Sequence, residues 1–89
     1  MTHPDETIPE VIATYKWFRV VRQPKTDPRR KTFIYKVINI NHGSCIGTIS
    51  WYGSWRQYCL FPEGDTVWST GCLCDIMKLI GQLNRKEVW

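Results

Sequence analysis

The sequence predicts an α+β fold: a four-stranded antiparallel meander followed by one C-terminal helix packed across one face of the sheet, in the order β-β-β-β-α. Three observations lead to this prediction. The chain has 89 residues, a length that supports one apolar core. Four segments rich in β-branched and aromatic residues follow one another at short spacing between residues 14 and 62. Beyond Trp68, the apolar residues recur with the period of a helix, about 3.6 residues.

The first twelve residues are predicted to form a poorly ordered arm, followed by a single domain over residues 13–89. Pro4 and Pro9 stand there among acidic and polar side chains, a composition typical of chain termini. The segment has neither the positive charge nor the uninterrupted apolar core of a signal peptide, and no apolar run approaches the roughly 18 residues of a membrane span. We therefore expect a cytoplasmic protein without membrane contact, whose four cysteines are reduced thiols, with a disulfide pair as the alternative.

The predicted strands are the segments TYKWFRVVRQ (14–23), KTFIYKVINI (31–40), CIGTISWYG (45–53) and RQYCLFP (56–62). The segments between them suit hairpin connections. PKTDPRR contains two prolines, which exclude a regular ladder, while NHGS and the Gly-Ser pair after Tyr52 supply residues that tolerate tight turns. Connections of this length cannot make the crossover that parallel strands need, so we expect an antiparallel meander.

The predicted helix is amphipathic. Its apolar residues recur at i, i+3, i+4, i+7 and i+10, which places them on one stripe that we expect to face the sheet. Either Ser69 or Thr70 is expected to cap the first turn, and Asn84, with the basic residues after it, to mark the end. The stripe consists of Leu73, Ile76, Met77, Ile80 and Leu83.

A single helix covers one face of a sheet, so the other face should expose aromatic rings. The alternation of side chains along the strands suggests that aliphatic sides meet the helix, and that Tyr and Trp, with Arg and Lys beside them, lie outside. Nucleotides and single-stranded nucleic acids bind such surfaces through base stacking and phosphate attraction. On this hypothesis the candidate ligand-binding residues are Trp17, Arg19, Tyr35, Tyr52 and Arg56, with Arg29 and Arg30 as electrostatic support.

The aromatic residues are also compatible with other roles. They supply large buried areas in a small core and contribute to protein interfaces, so packing, self-association and a protein target are alternatives to a ligand. In the stretch SWYGSWRQYCLFP (50–62), we expect Trp51 and Trp55 to pack, and Tyr52 and Arg56 to lie at the surface. Because monomers rarely expose large apolar patches, we expect a homo-oligomer.

The charge distribution favours an anionic partner. The formal net charge is +4, and the sequence pI is near 9.0. The segment RVVRQPKTDPRRK (19–31) contains six cations and one acidic residue, Asp27. Such a segment attracts anions over long range. The alternative is a solvated basic loop that favours solubility.

The sequence contains no motif of a catalytic or metal site. Cys72-x-Cys74 has the wrong spacing for a zinc finger or ribbon, which needs two separated pairs of ligands. The two histidines are isolated, and paired-carboxylate, P-loop, G-x-S-x-G and H-E-x-x-H patterns are missing. We therefore predict a binding protein that is not an enzyme and uses no cofactor or metal.

Residues 47–80 also contain three short motifs. W-[YF]-G-x-W-R-x-Y-x-F-x-P is matched at residues 51–62, with Leu60 in place of its last aromatic residue. T-V-[FW] is matched at residues 66–68, and C-L-x-D-I at residues 72–76. In these motifs the chain resembles a group of small uncharacterised proteins encoded by bacteriophages and prophages. The resemblance implies a viral accessory protein in the host cytoplasm that acts by binding a nucleotide signal of host defence, nucleic acid or a host protein. A self-associating structural component is a further alternative.

Overall fold

The structure, a computed structural model, describes residues 9–25 and 29–87, the side chains of residues 86 and 87 excepted. It contains a five-stranded antiparallel sheet, in the order β1-β2-β3-β4-β5, and a helix that follows the last strand. The predicted α+β architecture is therefore confirmed, whereas the predicted number of strands, four, is wrong. The elements are β1 (Glu10–Thr14), β2 (Phe18–Arg22), β3 (Tyr35–Asn39), β4 (Cys45–Tyr52), β5 (Gln57–Pro62) and α1 (Thr70–Glu87).

The additional strand, β1, comes from residues that the sequence assigned to the arm and to the first strand. Residues 10–12 belong to β1, whereas residues 1–8 of the predicted arm lie outside the described residues. The chain reverses direction at residues 15–17, where the Tyr15 amide donates to the Phe18 carbonyl over 2.8 Å. The two aromatic rings also pack, with centroids 4.9 Å apart. Packing therefore holds a turn that no glycine or proline marks.

The core lies between α1 and one face of the sheet, here called the covered face. Its side chains alternate along each strand, and each is at most 8% exposed. The predicted stripe of α1 is partly wrong, because Leu73 and Met77 are 47% and 65% exposed while Leu79 is buried. The buried residues are Phe18, Val20, Tyr35, Val37, Ile49, Tyr58, Ile76, Leu79 and Leu83.

Two contacts orient α1 on the sheet. Just before the helix, the Trp68 ring lies so close to Gly47 of β4 that a Cβ built there would be 3.2 Å from Trp68 Cζ2. Near the end of the helix, the side-chain oxygen of Asn84 accepts a hydrogen bond from the Tyr58 amide of β5, over 2.7 Å. This bond satisfies a donor on an edge strand that would otherwise be open to pairing. Both contacts join residues distant in sequence, and they set which side of α1 meets the sheet.

The first turn of α1 begins as predicted. The Ser69 hydroxyl accepts a hydrogen bond from the Cys72 amide over 3.2 Å, which is the geometry of an N-cap. Asn84, Arg85 and Lys86, predicted to mark the end of the helix, lie in its last turn, and α1 ends one residue later, at Glu87. Within the described ranges, no helix is long and apolar enough to cross a membrane.

The two ends of the sheet carry different connections. Because consecutive strands are antiparallel, the β2–β3 connection (residues 23–34) and the β4–β5 turn (residues 53–56) lie at the same end, here called the basic end. The β1–β2 turn lies at the opposite end. Burial, and then the nearby carboxylate of Asp75, raises the pKa of Tyr15 above its ordinary value. The first half of α1 is therefore close to the β1–β2 turn.

Candidate nucleic-acid interface

The face of the sheet opposite α1, here called the outer face, is not covered by any element of the described chain. Ile49 in β4 and Tyr58 in β5 are buried on the covered face. Their neighbours along each strand must therefore point outward, because side chains alternate. On β4 and β5 the outward residues are Thr48, Ser50, Tyr52, Gln57, Cys59 and Phe61.

Three aromatic side chains form a cluster on this face. Tyr52, Trp55 and Phe61, here called the aromatic cluster, are 37%, 67% and 43% exposed. The Tyr52 ring meets the Trp55 ring edge to face at 5.1 Å and the Phe61 ring at 6.1 Å. The small pair Ser50 and Cys59 lies between the positions of Tyr52 and Phe61 in the ladder and leaves room for the rings. The cluster presents aromatic surface to solvent.

The β4–β5 turn contains Trp55 of this cluster and, next to it in the chain, Arg56. The Trp55 amide donates to the Tyr52 carbonyl and the Arg56 amide to the Gly53 carbonyl, each over 3.2 Å. Arg56 has a φ of 53°, in the left-handed region that a residue with a Cβ adopts only at a cost in free energy. Its side chain is exposed, and it directly follows Trp55 of the aromatic cluster in the chain.

A cation lies in the same row of the sheet. Lys36 of β3 is exposed on the outer face, where it pairs with Val21 on one side and Thr48 on the other. Thr48 pairs in turn with Phe61. Since adjacent strands are about 4.8 Å apart, the backbone of Lys36 is roughly 10 Å from that of Phe61, a distance that both side chains can shorten.

A concavity of about 280 Å³ lies between the β2–β3 connection and β3, beside Lys36. Its lining includes the cations Lys25, Arg30 and Lys36, and no carboxylate among the described residues. The Lys25 ammonium rests 4.3 Å from the centre of the Phe33 ring, whereas the side chains of Arg30 and Lys36 have no ion pair with any described carboxylate. Thr32 and Ile34 complete the inner wall.

Charge is distributed unevenly between the two ends of the molecule. At the basic end, the described carboxylate of Glu10 forms an ion pair with Arg22. Glu63 and Asp65 follow β5 at the opposite end, and Asp27 lies outside the described residues. Anions are therefore attracted to the basic end. The cations of its two connections are Lys25, Arg29, Arg30, Lys31 and Arg56.

The structure brings several of the predicted binding residues together. Tyr52 belongs to the aromatic cluster, and Arg56, Arg29 and Arg30 lie at the basic end beside it. Arg19 is exposed on the outer face, but it pairs with Ile38 and Thr14 toward the opposite end.

Three predicted positions differ from the structure. Tyr35 was expected on the exposed face, but it is 2% exposed and belongs to the core, so a ligand cannot stack on it in this conformation. Trp17 is 53% exposed, yet it lies at the opposite end with the Lys16 ammonium 5.2 Å from its ring centre. Trp55 was expected to pack, but its ring is exposed because the turn projects it beyond the sheet.

Sequence reasoning missed Phe61, Lys36 and the contribution of Trp55. For Phe61 the signal was available, because it alternates with the residues of β5 that pack against the core. For Lys36 the signal was ambiguous, since both sides of β3 carry apolar residues, and only the helix decides between them.

All four cysteines are free and partly buried. In the described residues, no group of three or more His, Cys, Asp or Glu side chains is placed to hold a metal ion. Comparisons of the chain with protein-family models, with curated proteins and with solved structures find no match. A functional assignment therefore depends on the geometry of the site.

Proposed function

We propose that this protein binds single-stranded nucleic acid or a nucleotide on the outer face of its sheet, at the basic end, and that it acts by binding rather than by catalysis. One observation carries the proposal: an exposed cluster of three aromatic rings lies on the same face and at the same end as Arg30 and Lys36, which have no ion pair with a described carboxylate. Stacking of a base on an aromatic side chain contributes about 1–3 kcal/mol, whatever the base.

The cations provide the second component of affinity. Arg30, Lys36 and Arg56 lie where the backbone of a stacked strand would pass, and phosphates that they neutralise release condensed counterions. Binding should therefore weaken steeply as salt rises. A host protein docked on the aromatic cluster, the alternative partner, would show little dependence on salt, because apolar contacts are not screened.

The resemblance to phage proteins suggests a biological setting for this activity. We propose an accessory role in the cytoplasm of the infected cell, in which the protein sequesters a nucleotide signal of host defence or coats nucleic acid. Both roles use the same surface chemistry. They differ in whether the ligand is a free nucleotide or a strand.

The experiment compares two exposed tryptophans at opposite ends of the sheet. Trp55→Ala should weaken the binding of a fluorescein-labelled oligothymidylate about tenfold or more, because a stacking partner is lost. Trp17→Ala removes an exposed tryptophan from the other end and should leave the Kd unchanged. Fluorescence anisotropy measures both. Equal affinities for wild-type protein and Trp55→Ala, or a loss of affinity only in Trp17→Ala, would contradict the proposed surface.

A second candidate function is self-association through α1. Leu73 and Met77 lie one turn apart on the helix and are 47% and 65% exposed. We propose a second copy as the occupant, because a twofold axis would bury the same stripe in both chains and leave the outer face free. Sedimentation analysis should show a dimer that Met77→Glu dissociates and that Lys78→Glu, at a neighbouring exposed position, does not. A monomer at all concentrations would exclude it.

A further inference from the structure

The concavity beside Lys36 has a chemistry distinct from that of the aromatic cluster. It opens on the same face, and it combines cations and a hydroxyl with apolar side chains where the cluster has rings. Its lining consists of Gln23, Pro24, Lys25, Arg30, Thr32, Ile34 and Lys36. We infer that this concavity is a phosphate subsite: it receives a phosphate of the ligand whose bases stack on the aromatic cluster. The inference rests on the proposed function and specifies which part of the ligand each subsite binds.

The size of the concavity suits part of a nucleotide. Pockets that enclose whole small-molecule ligands usually begin at about 300 Å³, and this one measures about 280 Å³. A phosphate with part of its sugar fits that volume, and so would a base; the cations Arg30 and Lys36 in the lining, rather than the volume, favour the phosphate. The bases are therefore expected outside, on the aromatic cluster.

The donors that line the concavity suit an anion. The Arg30 guanidinium can donate two parallel hydrogen bonds to a phosphate, and the Lys36 ammonium adds a point charge. The Thr32 hydroxyl is a further donor. Lys25 has a different role, since its ammonium already rests over the Phe33 ring at 4.3 Å. The Phe33 ring also meets Arg22 of the covered side, so this contact draws the Lys25 ammonium away from the concavity, and Lys25 is not counted among the phosphate donors.

The register of the sheet connects the two subsites. Lys36 pairs with Thr48, and Tyr35 with Ile49, so the antiparallel ladder continued by one residue places Ile34 opposite Ser50. Tyr52 stands two residues further along β4. Neighbouring strands are about 4.8 Å apart. The backbone of Tyr52 therefore lies one strand spacing from the segment of chain that forms the inner wall of the concavity. A phosphate in the concavity and a base on Tyr52 can therefore belong to the same or adjacent nucleotides.

The test removes the subsite without touching the rings. In the double variant Arg30→Gln/Lys36→Gln, two exposed charges are lost. Anisotropy titrations with a fluorescein-labelled oligothymidylate over a salt series should give about tenfold weaker binding, and the slope of log K against log salt should fall by about one per lost phosphate contact. The matched control, Lys16→Gln/Lys78→Gln, makes the same charge change at exposed positions away from the concavity and should retain the wild-type slope.

Each outcome has a defined meaning. If the double variant and the control have equal affinities and slopes while Trp55→Ala still weakens binding, the phosphate subsite is refuted and the proposed function stands. If wild-type protein binds no oligothymidylate and no ATP, both are refuted. Competition by unlabelled ATP, lost in the double variant, would identify a free nucleotide as the source of the phosphate. Binding of the strand without competition by ATP would identify a single-stranded nucleic acid.

Discussion

Both faces of this sheet carry aromatic rings, and the faces differ in what the rings contact. On the covered face, Tyr58 meets Tyr35 at 5.9 Å and Trp51 at 5.6 Å, and both tyrosines are at most 2% exposed. On the outer face, Tyr52 and Trp55 contact each other at 5.1 Å and remain open to solvent. Aromatic density alone therefore does not distinguish a core from a binding surface. The two are distinguished by whether the rings lie on the face that the helix covers.

Cations show the same contrast. Arg22, on the covered side, pairs with Glu10 and lies over the Phe33 ring at 4.6 Å. Its charge is therefore balanced by contacts within the fold. Lys36 and Arg30, by contrast, have no ion pair with a described carboxylate. The position of Lys36 and Arg30 beside exposed rings makes the outer face a candidate interface. Substitutions on the two faces should therefore separate stability from binding.

The largest expected effect comes from one strand with residues on both faces. Tyr58→Ala should lower the free energy of unfolding by about 3–5 kcal/mol, because it leaves a cavity among buried rings. Phe61→Ala, three residues further along β5, should lower it by about 1 kcal/mol or less, since its ring is 43% exposed. Urea denaturation followed by far-UV circular dichroism measures both.

For oligothymidylate binding, Phe61 should matter directly, whereas Tyr58 should matter only through stability. Phe61→Ala is expected to weaken oligothymidylate binding in a folded protein, because it removes part of the aromatic cluster. Equal losses of stability in the two variants would contradict the division into a covered and an outer face.

The attachment of α1 is a second way to test the covered face. Asn84→Ala removes the acceptor of the Tyr58 amide at 2.7 Å and should lower the free energy of unfolding by about 1–3 kcal/mol, the cost of leaving such a donor unsatisfied. Gln82→Ala, at an exposed position of the same helix, should change it by about 0.5 kcal/mol or less. An unaltered urea midpoint in Asn84→Ala would show that water replaces the lost bond.

Gly47 tests how closely the covered face is packed. In Gly47→Ala the new Cβ would meet Leu60 Cδ1 and Trp68 Cζ2, each at 3.2 Å, so both side chains must move by a few tenths of an ångström. We expect a loss of about 1–3 kcal/mol in the free energy of unfolding, typical of overpacking. Gly53→Ala is the control, since nothing lies within 4 Å of its added Cβ. If the two variants denature at the same urea concentration, Trp68 is not held against the sheet.

The sequence was sufficient for much of the fold. Alternation and turn residues identified β3, β4 and β5, and the change of period identified α1. The first hairpin was missed because residues 15–17 contain no residue that breaks a strand, and the contact that closes the turn is between the rings of Tyr15 and Phe18. Such a contact is visible only once the chain has folded.

The site was less predictable, for a related reason. Tyr35 and Lys36 lie on opposite sides of a strand that has apolar residues on both, and the sequence does not say which side meets α1. That choice depends on Trp68 and Asn84, whose partners are distant along the chain. The concavity forms where the β2–β3 connection meets β3, so no local pattern predicts it.

Substitution of Arg56 should have the smallest effect on stability, and it separates a role in stability from a role in binding most sharply. Its φ of 53° is in the region that glycine adopts freely, so Arg56→Gly should raise the free energy of unfolding by about 1 kcal/mol. The same substitution removes a cation from the edge of the aromatic cluster and should weaken oligothymidylate binding at low salt. Arg56→Lys keeps both the charge and the strained backbone, so it should leave stability and the salt dependence close to those of the wild type. A protein that becomes more stable and binds less well would show that the strain at Arg56 is retained for the ligand; a gain in stability with unchanged affinity would place the guanidinium outside the interface.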